Sequence, residues 1–325
     1  MGTKQWIGVD VSMDSLKIAC PEGQTWQIET VENTTARIGA WIRRLDKGQV
    51  HIILEATGTY SDKVAQLLHR MEVSFSVITP RQASQFSGVL KNITKNDERD
   101  ACCLSLFGQH MQPAVYQMPS RASANLKQLR TLLGQLKKQR QALFNQRHAL
   151  EQLEHPLQLA LDLIDQTLGH LNQQIQVIEN EVCTQSDEAF HSLMAKACTI
   201  KGIGPKTALA LLVATDGLKH FDDVKQLTKF VGLAPQQYQS GKSATKAFIS
   251  RAADPELRTL FYMATWSACK SNKACIELRK KLKNKGKPPK VILIAVAHKL
   301  LRQIWGVIKN GAVFDNDYES KAEKT

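Results

Sequence analysis

Three features of the 325-residue chain predict an α/β sheet domain followed by a mainly helical remainder. Short apolar runs of strand length crowd the first 80 residues and alternate with helical stretches. Leucines three and four apart fill the centre, and apolar helical patterns broken by Gly-rich turns follow Ile200. Composition fits that class: 43% apolar residues are too many for wholesale disorder, and 18 Gly with 10 Pro are too few for a fibrous chain.

The strand segments come first. Trp6 to Ser12, Leu16 to Cys20 and Thr25 to Thr30 read as three short strands with turn residues between them. Thr34 to Leu45 is expected to be helical, Val50 to Leu54 a buried strand, Ser61 to Met71 helical, and Val73 to Ile78 a strand ending before Pro80. Three opening strands followed by helix–strand alternation imply an α/β sheet with an antiparallel hairpin edge.

In the centre, Leu126, Leu129, Leu133, Leu136, Leu143 and Leu150 form one seam, and Leu161, Ile164, Leu168, Leu171, Ile175, Ile178 and Val182 form another beyond Pro156. Two seams separated by a proline predict a helical hairpin or coiled coil, with packing or partner pairing as its role. Arg140 and Arg147 occupy seam positions, which argues against a plain dimer zipper. Further on, a Lys-rich stretch runs from Arg279 to Lys290, an apolar helix is expected from about Val291 to Ile308, and the tail from Asp315 is polar. The expected domains are 1–115, 120–186 and 190–312, with a flexible tail at 313–325.

The longest apolar run, Val291 to Ala297, falls far short of the ~20 residues that span a bilayer, and the first four residues lead into a strand rather than a signal peptide. A cytoplasmic, nucleoid-associated protein with no membrane partner is the expectation. Seven scattered cysteines, none spaced C-x-x-C, predict buried thiols in a reducing compartment rather than a disulfide framework or a zinc site.

Net charge is +13, and it is not spread evenly. Residues 1–110 sum to zero, 111–190 to −1, and the last 135 residues to +14. Within the centre, Arg121 to Leu150 holds seven basic residues and no acid, whereas Glu151 to Phe190 holds eight acids and no base. Concentrated positive charge favours a nucleic-acid partner, although a solvated face kept for solubility has the same composition.

Four carboxylates stand out. Asp10 interrupts an apolar strand, Glu55 directly follows His51-Ile-Ile-Leu54, and Asp97 and Asp100 lie three apart on one face of an expected helix. Strand ends at the C-terminal edge of an open α/β sheet are where ligands bind, so Asp10 and Glu55 are expected to converge there. Clustered carboxylates either rise in pKa or hold divalent metal, and paired Mg²⁺ ions suit phosphodiester chemistry. On their own, Asp97 and Asp100 are more often a solvated helix face, and their weight comes from acting together with Asp10 and Glu55.

The segments IGVDVS, LEATGTY and KNDERDA, in that order, resemble the Asp-Glu-Asp-Asp domain of the IS110 family of insertion-sequence transposases and the related Piv-type DNA invertases. That domain is similar to the RuvC junction resolvase, an RNase H-like fold. The resemblance implies metal-binding and catalytic roles for Asp10, Glu55, Asp97 and Asp100. Asn96 departs from the pattern, standing where the family commonly has Thr.

A second set of motifs lies in the basic segment. Thr199-Ile-Lys-Gly202-Ile-Gly204-Pro-Lys206 reads as a helix–hairpin–helix turn, in which Gly202, Gly204 and Lys206 would approach a phosphate; a tight structural turn has the same sequence. Val231-Gly-Leu-Ala-Pro235-Gln-Gln-Tyr-Gln-Ser240-Gly-Lys242 also looks like the transposase family, whose C-terminal domain carries a nucleophilic Ser before Gly. The resemblance places that nucleophile at Ser240, in an expected loop, with Ser243 and Ser250 as local competitors and Lys242, Lys246 and Arg251 near the scissile phosphate. Arg121, Lys127, Arg130, Lys137, Lys138 and Arg140 form a candidate stripe for nucleic acid on the first central helix.

Covering nearly the whole chain, the resemblance implies a site-specific DNA recombinase or transposase. It would use two Mg²⁺ ions and a covalent phosphoserine intermediate, act on double-stranded donor and target DNA, and be guided by a non-coding bridge RNA. A homodimer or tetramer assembled through the coiled coil is implied as well. The alternatives are a Piv-like invertase, a hydrolytic junction resolvase using the four acids and water, and a non-catalytic nucleic-acid scaffold.

Overall fold

The computed structural model describes residues 4–23, 25–90, 96–236, 239–240, 243–244, 248–249 and 254–317. The chain forms two compact units, Met1–Met118 and Pro119–Thr325.

In the first unit, β1 (Gln5–Val11), β2 (Ser15–Glu22) and β3 (Thr25–Glu32) form an antiparallel meander, while β4 (Val50–Glu55) and β5 (Phe75–Ile78) add parallel strands on the other side of β1. The order is β3-β2-β1-β4-β5, a mixed sheet with β1 at its centre. Crossovers to the parallel strands pass through α1 (Thr35–Arg43) and α2 (Thr59–Arg70). Helices α3 (Pro80–Val89) and α4 (Asp97–Met111) follow.

Period-two alternation explains the layers. Ile7, Val9, Val11, Ile52 and Leu54 pack into one cluster with Ile38 and Ile42 of α1 and Val64 and Leu68 of α2. Ile53 faces the other way, with Leu104 and Phe107 of α4 and Phe86 of α3. Helices therefore cover both faces of the sheet, as the buried run in β4 requires. The expected strands and first two helices are present; α3 was not anticipated.

The second unit is mainly helical. It begins with α5 (Arg121–Glu151) and α6 (Gln158–Cys198), which pack on one another. Lys137 pairs with Glu179, Arg140 Nη1 donates to Asn172 Oδ1 at 3.4 Å, and Arg147 Nη2 donates to Asp165 Oδ2 at 3.0 Å. Numbers rise along α5 as they fall along α6, so the two helices run antiparallel. The arginines in the apolar seam thus reach acceptors on α6, and part of the charge split between the two helices is matched within the hairpin.

Five further helices, α7 (Pro205–Thr215), α8 (Val224–Val231), α9 (Pro255–Ser271), α10 (Lys273–Asn284) and α11 (Pro289–Lys309), enclose the second core. Helix α11 is long and apolar enough to cross a bilayer by length and composition. Its Val296, Leu300, Leu301 and Ile304 are nonetheless fully buried in that core, the pattern of a central helix in a globular domain. Between α8 and α9 four two-residue strands were not foreseen: β6 (Pro235–Gln236), β7 (Gln239–Ser240), β8 (Ser243–Ala244) and β9 (Phe248–Ile249). They pair as β6 with β9 and β7 with β8.

All seven cysteines are free. Cys103, Cys269 and Cys275 are buried, but Cys183 is exposed, so the expectation of uniformly buried thiols is corrected at that residue.

Candidate nuclease centre and nucleic-acid interface

Residues Gly8 and Asp10 project to the side of β1 opposite Ile7, Val9 and Val11. Helix α4 lies on that side at unusually short range. A Cβ at Gly8 would stand 1.9 Å from the Ala101 carbonyl oxygen and 2.5 Å from the Ser105 nitrogen. Ser105 Oγ donates to the Trp6 carbonyl at 2.7 Å and accepts from Trp26 Nε1 at 3.1 Å, fixing the helix to β1 and β3 together.

Trp6 thus meets Ser105, and Gly8 meets Ala101. Two residues of strand and four of helix both advance about 6 Å, so the next step sets Asp10 beside Asp97. On the sheet, the parallel pairing of β1 with β4 reaches Val9–Leu54, and Asp10 and Glu55 are the next residues on their strands. The four predicted acids therefore meet at one edge.

Their electrostatics agree with that geometry. The Asp10 carboxyl is pushed up to about 6, first by burial and then by the charges of Asp100, Asp97 and Glu55; a backbone hydrogen bond at Val11 opposes the rise. Asn96 caps α4, its side chain accepting from the Glu98 N–H at 3.2 Å. Asn and Thr both serve as N-caps, so the departure at this position preserves the start of the helix that carries Asp97 and Asp100.

Four hard carboxylate donors whose mutual repulsion raises one of them suit a divalent cation of the Mg²⁺ class. Among the described residues, no three His, Cys, Asp or Glu side chains converge closely enough to hold an ion as they stand. The fit rests on donor chemistry and repulsion.

In the second unit, Gly202 has φ +103, and a Cβ there would lie 2.6 Å from that of Ala268 on α9, so packing alone requires glycine. Gly204 meets no such limit. It is exposed, with nothing within 4 Å of an added Cβ, at the start of α7, which has no side-chain cap; Lys206 in the first turn is exposed. These two residues are open to an anion.

Ser240 belongs to β7, where its backbone pairs with Ser243, rather than to the irregular loop expected from sequence. Lys242, Lys246 and Arg251 lie outside the described residues. On α5, Arg121, Lys127 and Lys138 are exposed, whereas Arg130 pairs with Glu256, Lys137 with Glu179, and Arg140 bonds to Asn172. The predicted stripe is therefore divided between three exposed cations and three engaged within the unit.

Sequence reasoning missed Gly8, Trp26 and Ser105, which hold the acidic centre in register. A glycine inside a strand was the one available signal of a close backbone approach.

Comparison with known proteins agrees with this architecture. A transposase model described by its Asp-Glu-Asp-Asp motif matches residues 7–156, and the model "Transposase IS116/IS110/IS902 family" matches residues 194–280. Over its length the chain is similar to the pilin gene-inverting protein of Moraxella bovis, 30% identical across 96% of this chain and 98% of that one. Its counterpart in Moraxella lacunata is 29% identical with the same coverage. The transposase of insertion sequence IS1111A from Coxiella burnetii is 25% identical across 78% of this chain and 75% of its own. The chain belongs to the IS116/IS110/IS902 family of transposases, enzymes of DNA recombination and transposition.

Proposed function

We propose that the protein is a site-specific DNA recombinase whose RuvC-like acidic centre, Asp10, Glu55, Asp97 and Asp100, binds two Mg²⁺ ions. Convergence of the four acids at one sheet edge, with Asp10 raised to about 6 by burial and then by the other three, is the observation that carries this reading. Bound there, the metal would polarise a phosphodiester and favour the oxyanion forms of the attacking and leaving groups.

Ser240 supplies the nucleophile. Its hydroxyl attacks phosphorus, forming a P–O bond while the bond to one deoxyribose oxygen breaks, and the serine proton ends on that departing oxygen, which becomes a free DNA hydroxyl. Attack on the phosphoserine by the hydroxyl of an exchanged strand reverses the step, so bond energy is conserved without hydrolysis. Gly204 and Lys206, with Arg121, Lys127 and Lys138, would hold phosphates of donor and target duplexes, and Lys242, Lys246 and Arg251 are candidates beside Ser240. A bridge RNA would supply sequence readout by base pairing. The α5–α6 hairpin would act as a coiled coil that assembles a dimer or tetramer, and Gly202–Gly204 as a helix–hairpin–helix turn.

DNA inversion is the second reading, favoured by one observation: similarity to the two gene-inverting proteins extends over 98% of their length. Incubating the protein with Mg²⁺ and supercoiled DNA carrying its ends, then denaturing, tests the chemistry. Covalent protein–DNA adducts are expected from wild type and from Ser243→Ala, but not from Ser240→Ala or Asp10→Asn. If Ser240→Ala continues to cut, hydrolysis by the four acids replaces the phosphoserine reading. Sequencing RNA co-purified from the host tests the guide, and recovery of no discrete species would reject it.

A further inference from the structure

Helix α9 buries Leu257, Phe261, Thr265 and Ala268 in the second core and turns the opposite stripe to solvent. That stripe carries Thr259, Met263, Trp266 and Lys270, spaced four, three and four apart. Met263 is 60% and Trp266 54% exposed. Indole is among the costliest side chains to leave in water, so an outward Trp flanked by Met calls for an occupant.

Charge indicates which kind. Lys270 stands one turn beyond Trp266 on the same stripe and is exposed. The chain then passes into α10, and Lys273 to Lys290 contain eight basic residues against a single acid, Glu277. Arg279, Lys280, Lys281, Lys283, Lys285 and Lys287 are all exposed, on α10 and the turn after it. At the other end of the stripe, Glu256 is neutralised by Arg130. A second copy of α9–α10 would meet like charge, and an apolar protein partner would leave the lysines unmatched. A polyanion with flat apolar faces satisfies both halves.

We infer that the α9–α10 surface binds single-stranded DNA, with an unpaired base stacked on Trp266 beside Met263 and the flanking phosphates held by Lys270 and the α10 cations. Every base presents a π-face, so stacking on indole needs no sequence, while lysines spaced along a helix and turn track a backbone. Breaking and exchanging duplex strands produces unpaired segments that need such a hold. The inference rests on the recombinase reading only for the choice of DNA as the polymer.

Strand binding by the full chain is to be measured in EDTA with a dT oligomer of about 16 nucleotides, its duplex form and an RNA oligomer of equal length. Wild type is expected to bind the dT strand with quenching of its Trp emission. Trp266→Leu, which keeps an apolar side chain, should lose that quenching and bind the strand about tenfold more weakly, with duplex affinity unchanged. Lys280→Gln with Lys283→Gln should weaken strand and duplex alike and flatten the salt dependence. The inference is overturned if Trp266→Leu binds the dT strand as wild type does, if Trp266 matters for the RNA oligomer alone, or if its replacement shifts the sedimentation coefficient of the free protein, which would mean that a second copy covers the stripe. Asp10→Asn should retain strand binding. Loss of strand binding in Trp266→Leu beside undiminished cleavage by Asp10→Asn would reject the acidic-centre reading and leave this one standing.

Discussion

Gly8 of β1 lies beneath Ala101 of α4 so closely that an added Cβ would stand 1.9 Å from the Ala101 carbonyl oxygen. No rotation of a side chain relieves that contact, because both partners are backbone. Gly8→Ala must therefore lift α4 from the sheet. The expected cost is about 3 kcal/mol or more, read by chemical denaturation of the full chain, together with loss of Mg²⁺-dependent cleavage. Gly134→Ala, at a helical site with nothing within 4 Å, should instead stabilise by about 1 kcal/mol.

The acidic centre works against folding when metal is absent. Asp10 is raised from 3.8 to about 6, so the folded state binds more protons than the unfolded one between those values. Its contribution is favourable below pH 4 and is lost as pH rises through 6. In EDTA at about pH 7.5, Asp10→Asn should therefore melt above wild type. Adding Mg²⁺ should reverse that order by stabilising wild type alone, and a metal-dependent shift that survives in Asp10→Asn would remove the residue from the metal site.

His51 has the opposite slope over nearly the same range. Buried on β4, its Nε2 is 2.8 Å from Ser76 Oγ, and burial with the charge of Lys4 holds its pKa down to about 4. An unfolded His titrates near 6.5, so stability is complete above that pH and falls as pH drops towards 4, by about 3 kcal/mol. Denaturation curves of Asp10→Asn across this window should show the loss clearly, and His51→Gln in that background should flatten it.

Asp216 locks the start of α5 to the end of α7. Its carboxylate accepts from Ser120 Oγ at 2.5 Å, Ser123 Oγ at 2.5 Å and the Ser120 N–H at 3.1 Å. Burial alone would raise its pKa, but these three bonds and Lys219 outweigh that and hold it at about 2. The stability it confers is present above about pH 4 and is lost as pH falls through 2. Asp216→Ala should cost about 3 kcal/mol at neutral pH, because the buried Ser123 hydroxyl and the half-buried Ser120 hydroxyl lose their acceptor, and should abolish the acid-limb loss between pH 4 and 2.

Legibility in the sequence followed the range of the interaction. Alternation in β1 and the three-four seams of α5 and α6 depend on neighbours along the chain, so strands, helices and the positions of Asp97 at a helix start and Glu55 at a strand end could be read directly. The contact of Gly8 with Ala101, the Trp26–Ser105 bond across 79 residues and the Ser120–Asp216 bond across 96 leave no local pattern. The strand pairs between Pro235 and Ile249 are too short for alternation to register, which is why Ser240 read as loop. Asp10 stood out because a carboxylate in an apolar strand breaks a local rule, and its three partners then followed from position.

The α5–α6 hairpin has one further property, which concerns length. Its cross-links, Lys137–Glu179, Arg140–Asn172 and Arg147–Asp165, are nested about the Pro156 turn like rungs. Removing two facing turns together leaves every rung below the cut in place. Each seven-residue pair of deletions would draw the tip inward by about 10 Å without changing either base of the hairpin. The arm is thus a ruler whose reach can be reset in fixed increments while the cores stay as they are.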